Sequence, residues 1–358
     1  MRVSVLVGLA LACGAAVRAQ EPATILWRGE ELARARAGLR AGDTALVLAL
    51  RALGAEARAA LHVPPQSVVQ KERTPPSEDK HDYMSFGPYW WPDRTKPGGV
   101  PYIRRDGRRN PEAARDSDSP RQATMVHAVE ALALGWYFTG DTAVARHAGV
   151  LLRAWYLDPA TRMNPNLEYG QGVPGLVSGR GTGIIDTHIL PGLLDAVRLL
   201  DGSGALLADE QQGLRDWMRQ YLHWLESSRN GSEERRARNN HGSWYDVQVA
   251  DLALFVGDTA AARAALERGK TRIAEILPDG REPLELARTR SLDYSAFNLD
   301  ALTSLAELGR RAGVDLWHYT APNGGSIPAA LRYLAPFADP RRPWPGEQIT
   351  QPSPDFLL

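Results

Sequence analysis

Cysteine is almost absent from this chain of 358 residues: its one copy, Cys13, lies inside an apolar run from Val3 to Val17 that follows Arg2. No disulfide can form within the chain, and no thiol nucleophile exists beyond that run. Neither sign of charge is in excess, with 42 Lys and Arg against 42 Asp and Glu. Without a global field to recruit nucleic acid or an anionic membrane, any polyanion must be held by a local basic cleft. Past the N-terminal run, no stretch approaches the roughly 20 apolar residues of a membrane span. Metal and nucleotide signatures are missing too. There is no His-Glu-x-x-His cluster, and the glycines of Gly179-Arg180-Gly181-Thr182-Gly183 do not match the dinucleotide spacing. Neither a metal nor another cofactor is expected.

What is present begins with an address. Residues 1–19 read as a cleaved secretory signal, with the small residues of Val17-Arg18-Ala19 preceding Gln20-Glu21-Pro22. This implies a periplasmic or secreted protein with no membrane contact after cleavage. Acylation at Cys13 is the alternative, and Ala10-Leu11-Ala12 matches it poorly. Residues 20–339 are expected to form one domain. Residues 340–358 form a Pro-rich polar tail in which Trp344 and Ile349 are the expected docking points.

Apolar residues recur at helical spacing over Leu26–Leu53, Met125–Phe138, Val144–Trp155, Ile189–Leu200, Leu214–Leu225, Tyr245–Phe255 and Ala296–Ala312, and alternating runs are scarce. Phe138-Thr139-Gly140-Asp141-Thr142 shares its plan with Phe255-Val256-Gly257-Asp258-Thr259. In each, the glycine is expected to end one helix and the aspartate to cap the next. The pattern predicts an all-α protein of antiparallel helical hairpins, which stacked in series close into an α/α toroid.

Two long loops carry the polar and aromatic chemistry. The first, from Pro64 to Pro120, holds His81-Asp82-Tyr83, then Tyr89-Trp90-Trp91-Pro92, then Arg104 and Arg105. Aromatic faces pack on the C–H faces of sugars, and arginines meet carboxylates. Tyr83, Tyr89, Trp90, Trp91 and Arg104 are therefore candidate substrate contacts. The second loop adds Asn166, Gln171 and Arg180, ahead of Asp186-Thr187-His188. Its plain account is turn chemistry around a satisfied, buried Asp186.

Asn239-Asn240-His241-Gly242-Ser243-Trp244 and Arg288-Thr289-Arg290-Ser291-Leu292-Asp293-Tyr294 bring together amides, an imidazole, guanidinium groups and a phenol. Those groups neutralise a carboxylate and move a proton beside it. Taken singly, each has a structural account. Asn239 or Asn240 caps a helix beginning near Trp244, Arg288 pairs with Glu285 at helical spacing, and Tyr294 is a core phenol.

With these residues in view, the chain resembles the alginate lyase superfamily of polysaccharide lyases, whose catalytic domain is an α/α toroid. The resemblance runs from His81-Asp82-Tyr83 and Tyr89-Trp90-Trp91-Pro92 through Met163-Asn164-Pro165-Asn166-Leu167 and Asn239-Asn240-His241-Gly242 to Glu285-Leu286-Ala287-Arg288. It implies a catalytic set of Asn240, His241, Arg288 and Tyr294, with Trp244 and Arg290 at the substrate and an acidic polysaccharide as partner. The arginine-to-tyrosine spacing departs from the family pattern by one residue, which leaves Arg290 as a second candidate for the arginine role. The aromatic N-terminal loop marks a divergent branch.

The implied reaction is β-elimination from a 4-linked uronate, which requires loss of the C5 proton beside a carboxylate. Donors such as Asn240, Arg288 and His241 would stabilise the enolate-like charge. Tyr294, ordinarily titrating near pH ~10, becomes a base only if a guanidinium favours its phenolate. The resemblance favours a single tyrosine that takes the C5 proton and protonates O4 where the two lie on one side, as in mannuronate. On guluronate they lie on opposite sides, and His241 is the better-placed base. Two other classes compete: a toroidal glycoside hydrolase using two of Asp186, Asp246, Glu285 and Asp293, and a carbohydrate-binding protein without catalysis.

Overall fold

A computed structural model describes residues 21–352; the expected signal peptide lies outside them. Thirteen helices follow in order: α1 Gly29–Arg40, α2 Thr44–Ala60, α3 Glu112–Arg115, α4 Ser119–Thr139, α5 Thr142–Leu152, α6 Leu190–Leu199, α7 Ala208–Ser227, α8 Arg229–Arg236, α9 Asn240–Val256, α10 Thr259–Ile273, α11 Pro283–Leu286, α12 Ser291–Ala312 and α13 Ile327–Leu334. The expected helix from Leu26 to Leu53 is instead two, because Gly42 is left-handed at φ 85° and Asp43 caps α2 through Ala45 and Leu46.

The two Gly-Asp junctions behave as expected. Gly140 and Gly257 adopt left-handed φ of 73° and 86°, while Asp141 accepts from the Ala143 amide and Asp258 from the Ala261 amide. Each junction folds a hairpin, α4 on α5 and α9 on α10. Helix α9 is buried on nearly all sides, so it presents no solvated face. Their neighbours α2, α6 and α12 continue the arc, since α2 packs on α4, α4 on α6, α6 on α9 and α9 on α12. One hydrophobic core runs through all of them. The N-terminal segment ties the arc across: the Asp195 carboxylate of α6 accepts the amides of Ile25, Leu26 and Trp27, while Arg28 pairs with Glu307 of α12.

The all-α expectation needs one amendment. The long loops contain four short strands, β1 Met84–Phe86, β2 Trp90–Trp91, β3 Ile103–Arg104 and β4 Tyr169–Gly172. Strand β1 pairs with β4 in parallel, which joins the two loops, and β2 pairs with β3 as an antiparallel ribbon in which Trp90 faces Arg104. Too few residues alternate in any strand to give a period-2 signal. The tail is docked as expected. The Trp344 indole donates to Ser291 Oγ, the Ile349 amide donates to the Thr289 carbonyl, and Gln348 holds Leu292 and Asp293.

Candidate active site

Helix α9 starts at Asn240 rather than near Trp244, so Asn240 and His241 form its first turn. Neither asparagine caps it: Asn239 makes no side-chain cap, and Asn240 turns away to Glu285. Only glycine fits at position 242, because a Cβ there would lie 1.9 Å from the Ala237 carbonyl oxygen and 2.7 Å from Arg272 Nη1. That guanidinium is the pin of this wall. It donates to Asp246 and to the carbonyls of Ala237 and Arg235, drawing the end of α8 onto the start of α9.

A buried carboxylate grips each member of the Asn-His pair. Glu285 accepts the Asn240 amide at 2.6 Å and its side-chain Nδ2 at 2.8 Å. Burial raises the Glu285 carboxyl above its ordinary range, and the two Asn240 donors oppose that shift. Glu234 of α8 lies 2.6 Å from His241 Nδ1. Neither grip was expected from the sequence. Glu234 sits in a Glu-Glu-Arg-Arg run that reads as a solvated face, and Glu285 was expected to pair with Arg288.

Arg288 does something else. Its Nε and Nη2 donate to the two oxygens of Asp106 at 3.0 and 2.7 Å, and its guanidinium carbon lies 3.7 Å from the Tyr294 ring centroid. Thr289 donates to Asp106 through both amide and hydroxyl, and Arg104 donates through Nη2. Burial alone would raise the Asp106 carboxyl, but Arg288, the Thr289 amide and Arg104 outweigh it and hold it well below the carboxylate range. Asp106 is a site residue that the sequence did not single out, for it stands 182 residues from its partner. Arg290, the alternative arginine, is held by Asp293 through Nε at 2.8 Å and Nη2 at 2.6 Å.

The Tyr294 hydroxyl donates to that of Tyr89 at 2.7 Å. Burial raises the Tyr294 phenol far above its ordinary value, Tyr89 adds to this, and Arg288 opposes it. The phenol is therefore protonated in the free protein.

Of the expected substrate contacts, Tyr89 meets the Tyr294 hydroxyl, Arg104 shares Asp106 with Arg288, and Trp91 donates its indole N–H to the Arg108 carbonyl. Trp90 stands over Arg180 with 5.7 Å from guanidinium carbon to ring centroid, and Arg180 is within electrostatic reach of Arg104, Glu234 and Asp186. Four others are corrected. Tyr83 is fully buried and donates to Asp186 at 3.0 Å. Trp244 is buried against His188 and Phe297, with its indole donating to the Phe297 carbonyl. Gln171 is buried between Asp186 and Arg180, so it positions the arginine. Asn166 holds its own loop, donating to Asp82 and accepting from the Glu168 amide. Their residue types suit sugar recognition, but apolar contact and unpaired backbone groups claimed them first.

The carboxylates open to a hydrolase are likewise occupied. Asp186 accepts from Tyr83, Ser85 and Gln171 as the satisfied buried group expected, Asp246 from Arg268 and Arg272, Glu285 from Asn240, and Asp293 from Arg290. Among the described residues, no group of three or more His, Cys, Asp and Glu side chains is placed to hold a metal.

Three comparisons bear on this arrangement. The family model described as alginate lyase matches residues 67–344. An alginate lyase of Bacteroides ovatus is 40% identical, covers 92% of this chain and 87% of its own, and superposes with a TM-score of 0.88. Alginate lyase A1-III of Sphingomonas species A1 shares the toroidal fold at 20% identity, covering 91% of this chain and 80% of its own with a TM-score of 0.55. A polysaccharide lyase of Stenotrophomonas maltophilia (strain K279a) is 37% identical over 110 residues, 30% of this chain and 32% of the relative, so the match spans about a third of that protein.

Proposed function

The chain belongs to the alginate lyase family of polysaccharide lyases, and on that premise we propose that it cleaves a 4-linked polyuronate, alginate-like with mannuronate or glucuronate units, by β-elimination. The observation that carries this reading is the Arg288 guanidinium stacked 3.7 Å over the Tyr294 ring, with the phenol hydrogen-bonded to Tyr89. A cation stacked on the ring that moves the proton serves an elimination, whereas a hydrolase needs two free carboxylates. The substrate carboxylate meets Arg288, His241 and the second side-chain N–H of Asn240, and these donors stabilise the enolate charge. Both arginines are paired with an aspartate, and the arginine role goes to Arg288 because its guanidinium is the one stacked on the Tyr294 ring.

The protonated Tyr294 is the acid that delivers a proton to O4. On a linkage whose C5 proton and O4 share a side, Tyr294 first releases its proton to solvent, with Arg288 offsetting the cost of burying the phenolate; it then takes the C5 proton and passes it to the departing O4. On a guluronate linkage His241 is the base. Trp90, Trp91, Arg104 and Arg180 hold the flanking sugars. With residues 1–19 as a signal, the enzyme works in the periplasm or outside the cell, on an acidic polysaccharide.

Incubation with mannuronate-rich, guluronate-rich and glucuronate polymers tests this. The expected product is an unsaturated uronate with new ultraviolet absorption. Reducing ends without that absorption would make the protein a hydrolase, and polymer binding without products would make it a binding protein.

A further inference from the structure

His241 is held at one ring nitrogen only. Nδ1 lies 2.6 Å from Glu234 Oε1, and the Glu234 side chain is 2% exposed against 19% for His241. Among the described residues Nε2 has no hydrogen-bond partner. A carboxylate only accepts, so the bridging proton belongs to Nδ1, and the neutral imidazole carries its lone pair on Nε2. Burying a glutamate against a single histidine costs stability rather than adding it, so the pair is poorly explained as a device for folding.

The chain fixes Glu234 firmly. Arg272 caps the end of α8 through the Arg235 and Ala237 carbonyls, and α8 sits so close to the turn at 181–187 that a Cβ on Gly181 would lie 3.0 Å from the Glu234 amide nitrogen. Glu285, from the segment before α12, lies within electrostatic reach of His241, and Arg180 and the buried Tyr221 phenol lie within reach of Glu234.

We propose that Glu234 is a positioning residue of the lyase reaction: it fixes His241 as the Nδ1–H tautomer and turns a bare Nε2 to the substrate as the base for linkages whose C5 proton lies opposite O4. The proposal rests on the β-elimination reading above. The C5 proton passes to Nε2, the freed electron pair forms the C4–C5 double bond, the C4–O4 bond breaks, and the departing O4 takes the Tyr294 proton. The imidazolium left behind is stabilised by the Glu234 carboxylate, and solvent returns both groups to their starting states.

The test is Glu234→Gln in the full chain, assayed for unsaturated product across pH on guluronate-rich and mannuronate-rich polymers. On guluronate-rich polymer kcat/KM should fall about 100-fold, the low end of what a general base supplies, and on mannuronate-rich polymer by much less. Loss of the carboxylate also destabilises the imidazolium, so the acid limb on guluronate-rich polymer should move to lower pH. Glu234→Asp should restore most of the loss. Equal falls on both polymers with an unmoved pH profile would reduce Glu234 to a structural role and overturn the proposal. So would an unimpaired Glu234→Gln. If that variant does not fold, histidine nitrogen NMR of the wild-type chain, assigned with His241→Gln, decides the point: a protonated Nδ1 supports the proposal and a protonated Nε2 sinks it. A wild-type enzyme that cleaves mannuronate-rich but not guluronate-rich polymer would remove His241 as base while leaving the lyase reading intact. No unsaturated product from any polyuronate would instead end the lyase reading itself.

Discussion

On the helical wall of the cleft, Asn240 and His241 are gripped by Glu285 and Glu234, which are 1% and 2% exposed. On the loop wall, Arg104 belongs to a ribbon of two-residue strands that Tyr89 and Asp106 flank, and its side chain is 53% exposed. The first wall is set by a buried network that ends on Asp246, while the second is set by ion pairs in contact with water. Buried networks are rigid and costly to breach, and exposed pairs contribute little to stability. The two walls should therefore fail in different ways.

The largest effect is expected where the walls meet. Tyr294→Phe removes the transferable proton but keeps the ring under Arg288, so kcat should fall about 10³-fold with polymer affinity nearly unchanged. Steady-state kinetics paired with a binding titration would show it, and near-normal turnover would remove Tyr294 from the mechanism. Next comes the helical wall. Arg272→Ala leaves the buried Asp246 with Arg268 alone and unpairs the Ala237 and Arg235 carbonyls, and unfolding in denaturant should show a loss of about 3 kcal/mol, with activity lost alongside. A loss under ~1 kcal/mol would mean that the wall does not depend on this pin.

Asp106→Asn probes the loop wall. We expect kcat/KM to drop about tenfold through misplaced Arg288, with stability changed by under ~1 kcal/mol once solvent screening is counted. Comparable losses of stability for Arg272→Ala and Asp106→Asn would erase the distinction between the walls. The clamp also has a pH signature. Its folded carboxyl lies below the ordinary 3.8, so its contribution is complete above that value and is lost only as pH falls through it. Asp106→Asn should therefore flatten only the most acidic part of a stability–pH profile. Smallest is Arg104→Ala, with KM raised a few-fold, about 1 kcal/mol or less, an effect that fades as salt increases. A salt-independent rise would show that Arg104 acts as a desolvated contact.

Much of the scaffold was legible from local chemistry. Gly140-Asp141 and Gly257-Asp258 folded the hairpins as expected because left-handed glycine and aspartate caps act within a few residues. Asn240, His241, Arg288 and Tyr294 also stood out as a set. Tyr83 and Trp244 misled because an aromatic residue suits a sugar face and a core equally well, and only burial separates the two. Glu234, Glu285 and Asp106 escaped notice for the opposite reason. Each carboxylate sits in an ordinary polar setting along the chain and meets its partner only when distant helices and loops pack.

By itself the sequence determined the helical hairpins, the family and the residue types that can move a proton beside a carboxylate, since these depend on contacts a few residues apart or on motifs kept whole. Tertiary structure alone decided which arginine lies over Tyr294, which carboxylate grips each member of the Asn-His pair, and which aromatic side chains face solvent. Those outcomes turn on burial and on partners far apart in the chain, where the cost of an unpaired charge selects one arrangement among many that the sequence allows.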